Sequence, residues 1–566
     1  MKYEDLMSHV GKFGIFQKLI AAAMCLNYFA IGLVLMYNVF ILYTPPHQCK
    51  LGLTENLTTS NATEIPRNEI YESNGTATEN PLRSGECYSY GVSGAYNYTQ
   101  QACTSGWMYD TVEGVTSITT EFDLVCTQAW IKPFIQSIQL GGVMAGSILG
   151  GILSDKYGRR RTLLFHGALL IASIFLLGNM PSIEAIEVFS FILGFASSTT
   201  TATSVVILHE NIPPKSIAFF GFLQMSFSSL GYAFMSLFDF LVPNWRHLMT
   251  GTGIITSVVL LPSLFVPETV RWSLENENEK ETLKLLETIA KVNCVNTEEK
   301  SVKLTLRQAD DRKITPDCES AQPLQIKTKI KEGTLDLFKL PFLRRRFIIL
   351  GISWFSVGLV YFAFGFNTDN LGVSRHLGAC LAALMDIPSN IIGFLLVRTI
   401  GKRKAFITLS SMAGVFFLLT PGLRKVNVWV GMVSAMLGKL FASGIISLMI
   451  VTTPDFFPTS LRNQAFGACF SIGRLGGMLS PFVIYLGENV FEIFPFILMS
   501  VMVCAAAVCV FFLPETTGRP LPNTMHEAEL LEKYRVRVSC CKKDKRNLYD
   551  DDGGELRVMQ IEETLS

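Results

Sequence analysis

The feature that most limits how this chain can fold is a series of apolar blocks, each about as long as a bilayer is thick. A membrane-crossing helix needs about 20 consecutive apolar residues, and residues 19–42 contain no Asp, Glu, Lys or Arg. Further blocks lie near 133–153, 162–180, 185–208, 217–241, 247–266, 347–370, 376–398, 404–422, 427–450, 463–486 and 490–513. The first is too long for a signal peptide, and no small-residue cleavage site follows it. Twelve transmembrane helices are therefore predicted, in an all-α membrane protein. Composition agrees: 17% of residues are charged, against about 25% in soluble domains.

Other classes are disfavoured. Lys and Arg number 48 and Asp and Glu 47, so there is no basic excess to hold nucleic acid. No Gly-x-x-x-x-Gly-Lys-Ser/Thr phosphate loop occurs, so no ATP is expected to drive anything. Neither His-Glu-x-x-His nor Cys-x-x-Cys appears, so no enzyme, metal or cofactor is expected.

Charge in the short loops sets orientation. Lys156, Arg159, Arg160 and Arg161 follow the second block, and Arg398, Lys402, Arg403 and Lys404 follow the eighth. Both loops, and with them both termini, are expected in the cytoplasm, at the plasma membrane. The loop 44–130 is then extracellular. It carries the glycosylation acceptors Asn56, Asn61, Asn74 and Asn97. It also carries Cys49, Cys87, Cys103 and Cys126, an even number suited to disulfides outside the cell; three pairings are open.

The chain repeats itself. Gly158-Arg159-Arg160-Arg161 recurs as Gly401-Lys402-Arg403-Lys404, 243 residues later; Glu210-x-x-Pro213 as Asp455-x-x-Pro458, 245 later; Pro267-Glu268-Thr269 as Pro514-Glu515-Thr516, 247 later. This predicts two six-helix pseudo-repeats that rock about a midplane site. The domains read as a cytoplasmic N-terminus 1–18, a first half 19–266, a linker 267–346 with short amphipathic helices near 279–291, a second half 347–513, and a tail 514–566. Asp155 is expected to cap a helix N-terminus and pair with Arg159–Arg161, holding the cytoplasmic side shut; the alternative is that these basic residues only fix topology. Glu210, Asp455 and Arg462 belong to the same junctions.

The chain resembles the organic cation, carnitine and organic anion transporters of the major facilitator superfamily nearly end to end. The residues that carry this are Val10-Gly11-Lys12-Phe13-Gly14, Glu121-Phe122-Asp123-Leu124-Val125-Cys126, Gly151-x-x-x-Asp155-x-x-Gly158-Arg159-Arg160-Arg161, Trp245-Arg246-His247-Leu248, Pro267-Glu268-Thr269-Val270-Arg271-Trp272, Leu437-Gly438-Lys439 and Asp455-Phe456-Phe457-Pro458-Thr459-x-x-Arg462-Asn463. The resemblance implies the major facilitator fold and small organic ions as substrates, moved alone, by exchange or with a coupled ion such as sodium or a proton.

Ionisable residues inside a span are functional candidates by default. Asp386, Lys439, Arg474 and Glu210 are four such residues. In the resembling carriers, Arg at the position of Arg474, before Gly476-Gly477-x-x-x-Pro481, accompanies carnitine and anion substrates, whereas cation carriers have Asp. Arg474 thus favours a carboxylate-bearing substrate; the alternative is a structural lock to Asp386. Asn390 stands where anion carriers tend to have a second base. Asp386 beside Arg474 would suit a zwitterion. Lys439 matches a family motif, and Trp354, Tyr361 and Phe362 are carried over as ring faces for a cationic group. Phe364 and Phe366 read as packing. Two rivals remain: a sugar-type carrier, from Pro514-Glu515-Thr516-Thr517-Gly518-Arg519, and a non-transporting receptor that binds ligand through the large loop.

Overall fold

A computed structural model describes residues 13–50, 87–92, 98–103, 106–111, 114–276, 279–294, 338–372, 374–458, 461–491, 493–517 and 522. The four glycosylation acceptors lie outside these residues.

The chain is mostly helical. The first half contains α1 (Ile15–Leu35), α2 (Asn38–Ile41), β1 (His47–Cys49), β2 (Tyr88–Val92), β3 (Tyr98–Ala102), β4 (Trp107–Tyr109), α3 (Ile118–Glu121), α4 (Ile131–Tyr157), α5 (Arg159–Asn179), α6 (Ile183–Asn211), α7 (Pro214–Leu241) and α8 (Trp245–Leu260). The linker contributes α9 (Val270–Glu275) and α10 (Glu279–Val292). The second half contains α11 (Pro341–Phe366), α12 (Arg375–Leu384), α13 (Asp386–Ile400), α14 (Lys402–Val426), α15 (Val428–Thr452), α16 (Arg462–Asn489) and α17 (Phe494–Phe511). The eighth predicted span is thus two helices, α12 and α13, meeting at Met385.

Eleven helical segments among the described residues are long and apolar enough to cross a membrane. The other predicted span, 217–241, falls on α7, a 28-residue helix. It still shows bare Phe219, Leu237 and Phe240 on its outer side, as a lipid-facing helix would.

Local chemistry sets the helix ends. Asn244 accepts from the N–H groups of Arg246 and His247, Asn427 caps Trp429 and Ser182 caps Ala185, satisfying N–H groups that have no partner inside the helix. Proline opens α7, α11 and α17, where its missing N–H costs nothing. Helices α4 and α6 pack backbone to backbone: a Cβ on Gly142 would lie 2.1 Å from the carbonyl oxygen of Phe191. Amphipathic α10 buries Leu286, Ile289 and Ala290 against Phe16 and Ile20 of α1, the linker helix that the spacing near 279–291 predicts.

The first loop is the exception to an all-helical plan. β1 pairs antiparallel with β4, and β2 with β3. Of the three pairings open to the four cysteines, the structure takes Cys49–Cys103 and Cys87–Cys126. Glu121 anchors the loop to the bundle, accepting from the Trp245 indole at 2.8 Å and from the Arg246 guanidinium at 2.5 Å. Burial alone would raise the Glu121 carboxyl, but these donors and the Arg246 charge hold it below its ordinary value. The Glu121 and Trp245-Arg246 motifs, far apart in sequence, are therefore two sides of one contact.

Candidate functional site

The repeated motifs meet at the bundle face that carries the linker. Helices α4 and α5 join at Gly158, and α13 and α14 at Gly401, with φ of 100° and 89°. A glycine suits both, because φ is positive and a carboxylate sits close by: a Cβ on Gly158 would lie 2.5 Å from a Glu268 oxygen. Glu268 accepts the N–H of Arg159 at 2.9 Å and that of Arg160 at 3.1 Å. Glu515 accepts the N–H of Arg403 at 3.3 Å, and the Thr517 hydroxyl accepts that of Lys402 at 2.8 Å. Each Pro-Glu-Thr carboxylate therefore caps the helix opened by its own half's Gly-basic motif. Burial pushes the Glu268 carboxyl up, and these N–H donors and Arg159 pull it partly back.

The side chains repeat as well. Arg159 pairs with Glu210 at 3.2 Å, and Lys402 with Asp455 at 2.5 Å. Arg160 donates to the carbonyl of Leu264, and Arg403 to that of Leu513. Asp155 makes one of its two expected contacts. It pairs with Arg159 at 3.0 Å with its side chain 75% exposed, but Glu268, not Asp155, caps α5. Arg462 donates to the carbonyl of Pro522. All of these contacts lie within one half or its own flanking segment. Sequence reasoning found the Pro-Glu-Thr repeat but not its function; the equal offset from the Gly-basic repeat was the available signal.

The second group of candidates lies in the middle of the bundle. Lys439, on α15, is 3% exposed and pairs with Asp386 at 3.4 Å. Its ammonium also sits over the Tyr361 ring, 3.4 Å from the centroid. Asp386 further accepts from the Tyr361 hydroxyl at 3.2 Å and from the Ser443 hydroxyl at 2.5 Å. Burying a charge is tolerable only when it is paired and hydrogen-bonded, and this pair is both. Asn390, one turn along α13, accepts from Ser447.

Arg474, on α16, is built differently. Its guanidinium lies 4.6 Å from the ring centroid of Phe470 and 5.5 Å from that of Phe362. Among the described residues it has no carboxylate partner. The lock to Asp386 does not form, because Asp386 is held by Lys439. Arg474 as a residue is half-buried. Tyr361 and, from the other half, Tyr28 lie within its electrostatic reach. Trp354 stands one layer back: it donates to Thr453 at 3.0 Å and meets Phe470 edge to face. Phe364 packs on Phe417, as a packing residue should, while Phe366 stacks on Phe362 and buttresses the ring beside Arg474. Phe470, Tyr28 and Ser443 belong to this centre and carried no distinguishing sequence signal.

Three charged side chains thus share the centre, and one cation is left over. Such an arrangement can receive one carboxylate in the plane of the guanidinium fork, with ring faces on either side.

A sequence model described as "Sugar (and other) transporter" matches residues 85–527. The chain is 26% identical over 531 residues to the organic cation transporter protein of Drosophila melanogaster, covering 94% of this chain and 95% of that protein. It is 25% identical over 540 residues to solute carrier family 22 member 6 of Bos taurus, covering 95% and 96%. Among solved structures, a D-xylose-proton symporter matches with a TM-score of 0.54 at 15% identity, covering 90% of this chain and 100% of that one. The inward-open xylose transporter XylE of E. coli matches with a TM-score of 0.51 at 17% identity, covering 71% and 89%. These structural likenesses are likenesses of fold.

Proposed function

The chain belongs to the sugar (and other) transporter family, and on that premise we propose that it carries small organic ions bearing a carboxylate, by alternating access between its two halves. It is a multi-pass membrane carrier and not an enzyme. The named relatives that cover most of its length include organic cation transporters and an organic anion transporter. One observation carries the finer reading: Arg474 lacks a carboxylate partner among the described residues, while Lys439 has Asp386. A substrate carboxylate supplies the missing charge, and the Phe362 and Phe470 rings flank the guanidinium that would receive it.

The same geometry shifts the weight within the carboxylate class. A zwitterion would need a free acid for its cationic end, and Asp386 is already engaged by three donors. Ring faces remain for that end, so carnitine-like molecules stay within the class, behind simple organic anions. A sugar-type carrier would not need an unmatched guanidinium at its centre. The disulfide-bonded first loop supports an oxidising exterior on that side, with the linker, the Gly-basic junctions and both termini in the cytoplasm at the plasma membrane.

The test is uptake of a labelled monocarboxylate, labelled carnitine and a quaternary cation by cells expressing the protein, with and without sodium and across a pH gradient. Monocarboxylate uptake above the other two supports the reading, and its dependence on sodium or pH identifies any coupled ion. Uptake of the quaternary cation alone overturns it. Absence of all three, repeated with purified protein in vesicles, favours the receptor.

A further inference from the structure

The two halves also meet through charge at the face that carries the first loop, far from the motif-bearing junctions. Asp239, on the last turns of α7, is 3% exposed. It faces two residues of the first turn of α12, in the other half: the Arg375 guanidinium at 3.0 Å and the His376 ring nitrogen Nδ1 at 3.1 Å. One turn earlier on α7, Ser236 donates to the main-chain carbonyl of His376 at 2.6 Å. The Arg375 guanidinium carbon lies over the Tyr43 ring, 4.2 Å from its centroid, and Phe240 meets the His376 ring edge to face at 5.5 Å. Arg375 is therefore gripped by a carboxylate and a ring that both belong to the first half.

Helix physics makes this contact more than incidental packing. The N-terminal turn of a helix carries partial positive charge and repels cations. Arg375 and His376 occupy that turn of α12, and α12 has no side-chain cap. The Arg375 charge is offset by Asp239, which the other half supplies, and the His376 ring nitrogen lies against the same carboxylate oxygen. Parting the halves here would strip a buried carboxylate of its partners and leave a cationic turn uncompensated. The neighbouring seam is closed too: Ser137 of α4 donates to the carbonyl of Met478 of α16 at 2.7 Å.

We propose that Asp239, Arg375 and His376 form an electrostatic clasp that holds the loop-side mouth of the carrier shut, and so sets the balance between its two facing states. The clasp rests on the carrier reading but not on the choice of substrate. Opening toward the loop side must break it; opening toward the linker side leaves it intact.

The test uses full-length protein purified in detergent, with Ser137→Cys as a reporter on the neighbouring seam. The rate at which a maleimide modifies position 137 is read by peptide mass spectrometry, which separates it from the native cysteines. Asp239→Asn should raise that rate about tenfold, within the about 5–150-fold span of ordinary coupling between states. Arg375→Gln should raise it similarly, and the two together no further, because they break one contact. His376→Gln should raise it less, and Glu268→Gln, at the opposite face, not at all. An unchanged rate in folded Asp239→Asn and Arg375→Gln proteins would overturn the clasp, as would effects that multiply in the double variant. If Asp239→Asn does not fold, Arg375→Gln decides alone. No substrate is needed, so failure of the clasp and failure of the carboxylate reading are separate results.

Discussion

The two charged regions of the bundle are built on opposite rules. At the linker-side junctions, the basic residues that open α5 and α14 find carboxylates from their own half: Arg159 has Asp155 and Glu210, and Lys402 has Asp455. At the centre, Lys439 is matched by Asp386, and Arg474 is left with rings. Matched charge in a low-dielectric setting fixes a conformation. Unmatched charge carries a desolvation cost with no internal return. The junction contacts tie the elements of each half to one another, and in the proposed reading a substrate carboxylate is the partner that the centre lacks.

Substitutions can break this contrast. The largest expected effect is on stability. Asp386→Asn removes the countercharge of a buried Lys439 and should cost about 3–5 kcal/mol, seen as loss of surface protein and of thermal stability after purification. The double variant Asp386→Asn/Lys439→Gln should recover most of it; no recovery would show that Asp386 serves something other than Lys439. Arg474→Ala should do the reverse. Folded yield should be kept, because no internal ion pair is lost, while binding of a carboxylate substrate should weaken by about 2–5 kcal/mol. Arg474→Lys should fall between, keeping charge but losing the two-pronged geometry.

At the junctions the effects should be smaller and alike in both halves. Glu268→Ala and Glu515→Ala each remove a helix cap, worth about 0.5–2 kcal/mol, and should lower thermal stability by similar amounts. A large loss from one and none from the other would break the equivalence of the repeats. Asp155→Asn should cost only about 0.2–1 kcal/mol, because its side chain stands in solvent. If it instead slows turnover strongly with folding intact, the linker-side gate expected from the sequence is real in another state of the cycle.

The smallest effect is at the loop anchor. Folding lowers the Glu121 carboxyl below its ordinary value of 4.5, so its contribution is present above that value and is lost as pH falls through the depressed one. Glu121→Gln should lower stability slightly near neutral pH, leave it unchanged at acid pH where the native carboxyl is already protonated, and so flatten the acid limb of the melting curve. An equally steep limb in both proteins would remove Glu121 as its source.

Much of this architecture was legible in the sequence. The apolar blocks placed the spans to within a few residues, because burial in lipid demands length and hydrophobicity together. The repeats showed two halves, and Arg474 was singled out by its cost in an apolar segment. Position within the bundle was not legible. The same reasoning allowed Arg474 to bond Asp386, and only the packing of α13 against α15 shows that Lys439 takes that acid. Glu268 was visible as a motif, but its role needs the chain to return to Gly158. Asp239 lies inside a predicted span and met the same criterion that selected Asp386; its partners Arg375 and His376, at the edge of the next block, are joined to it only by tertiary structure.

The most direct test of the central claim is accumulation of one labelled monocarboxylate, against its uncharged amide, by purified protein in vesicles, comparing the native chain with Arg474→Ala. The account predicts that the native protein takes up the carboxylate and rejects the amide, and that the variant, folded and inserted to the same extent, loses the carboxylate. Equal carboxylate uptake by both proteins would contradict it, and Arg474 would then be a packing residue held by its rings.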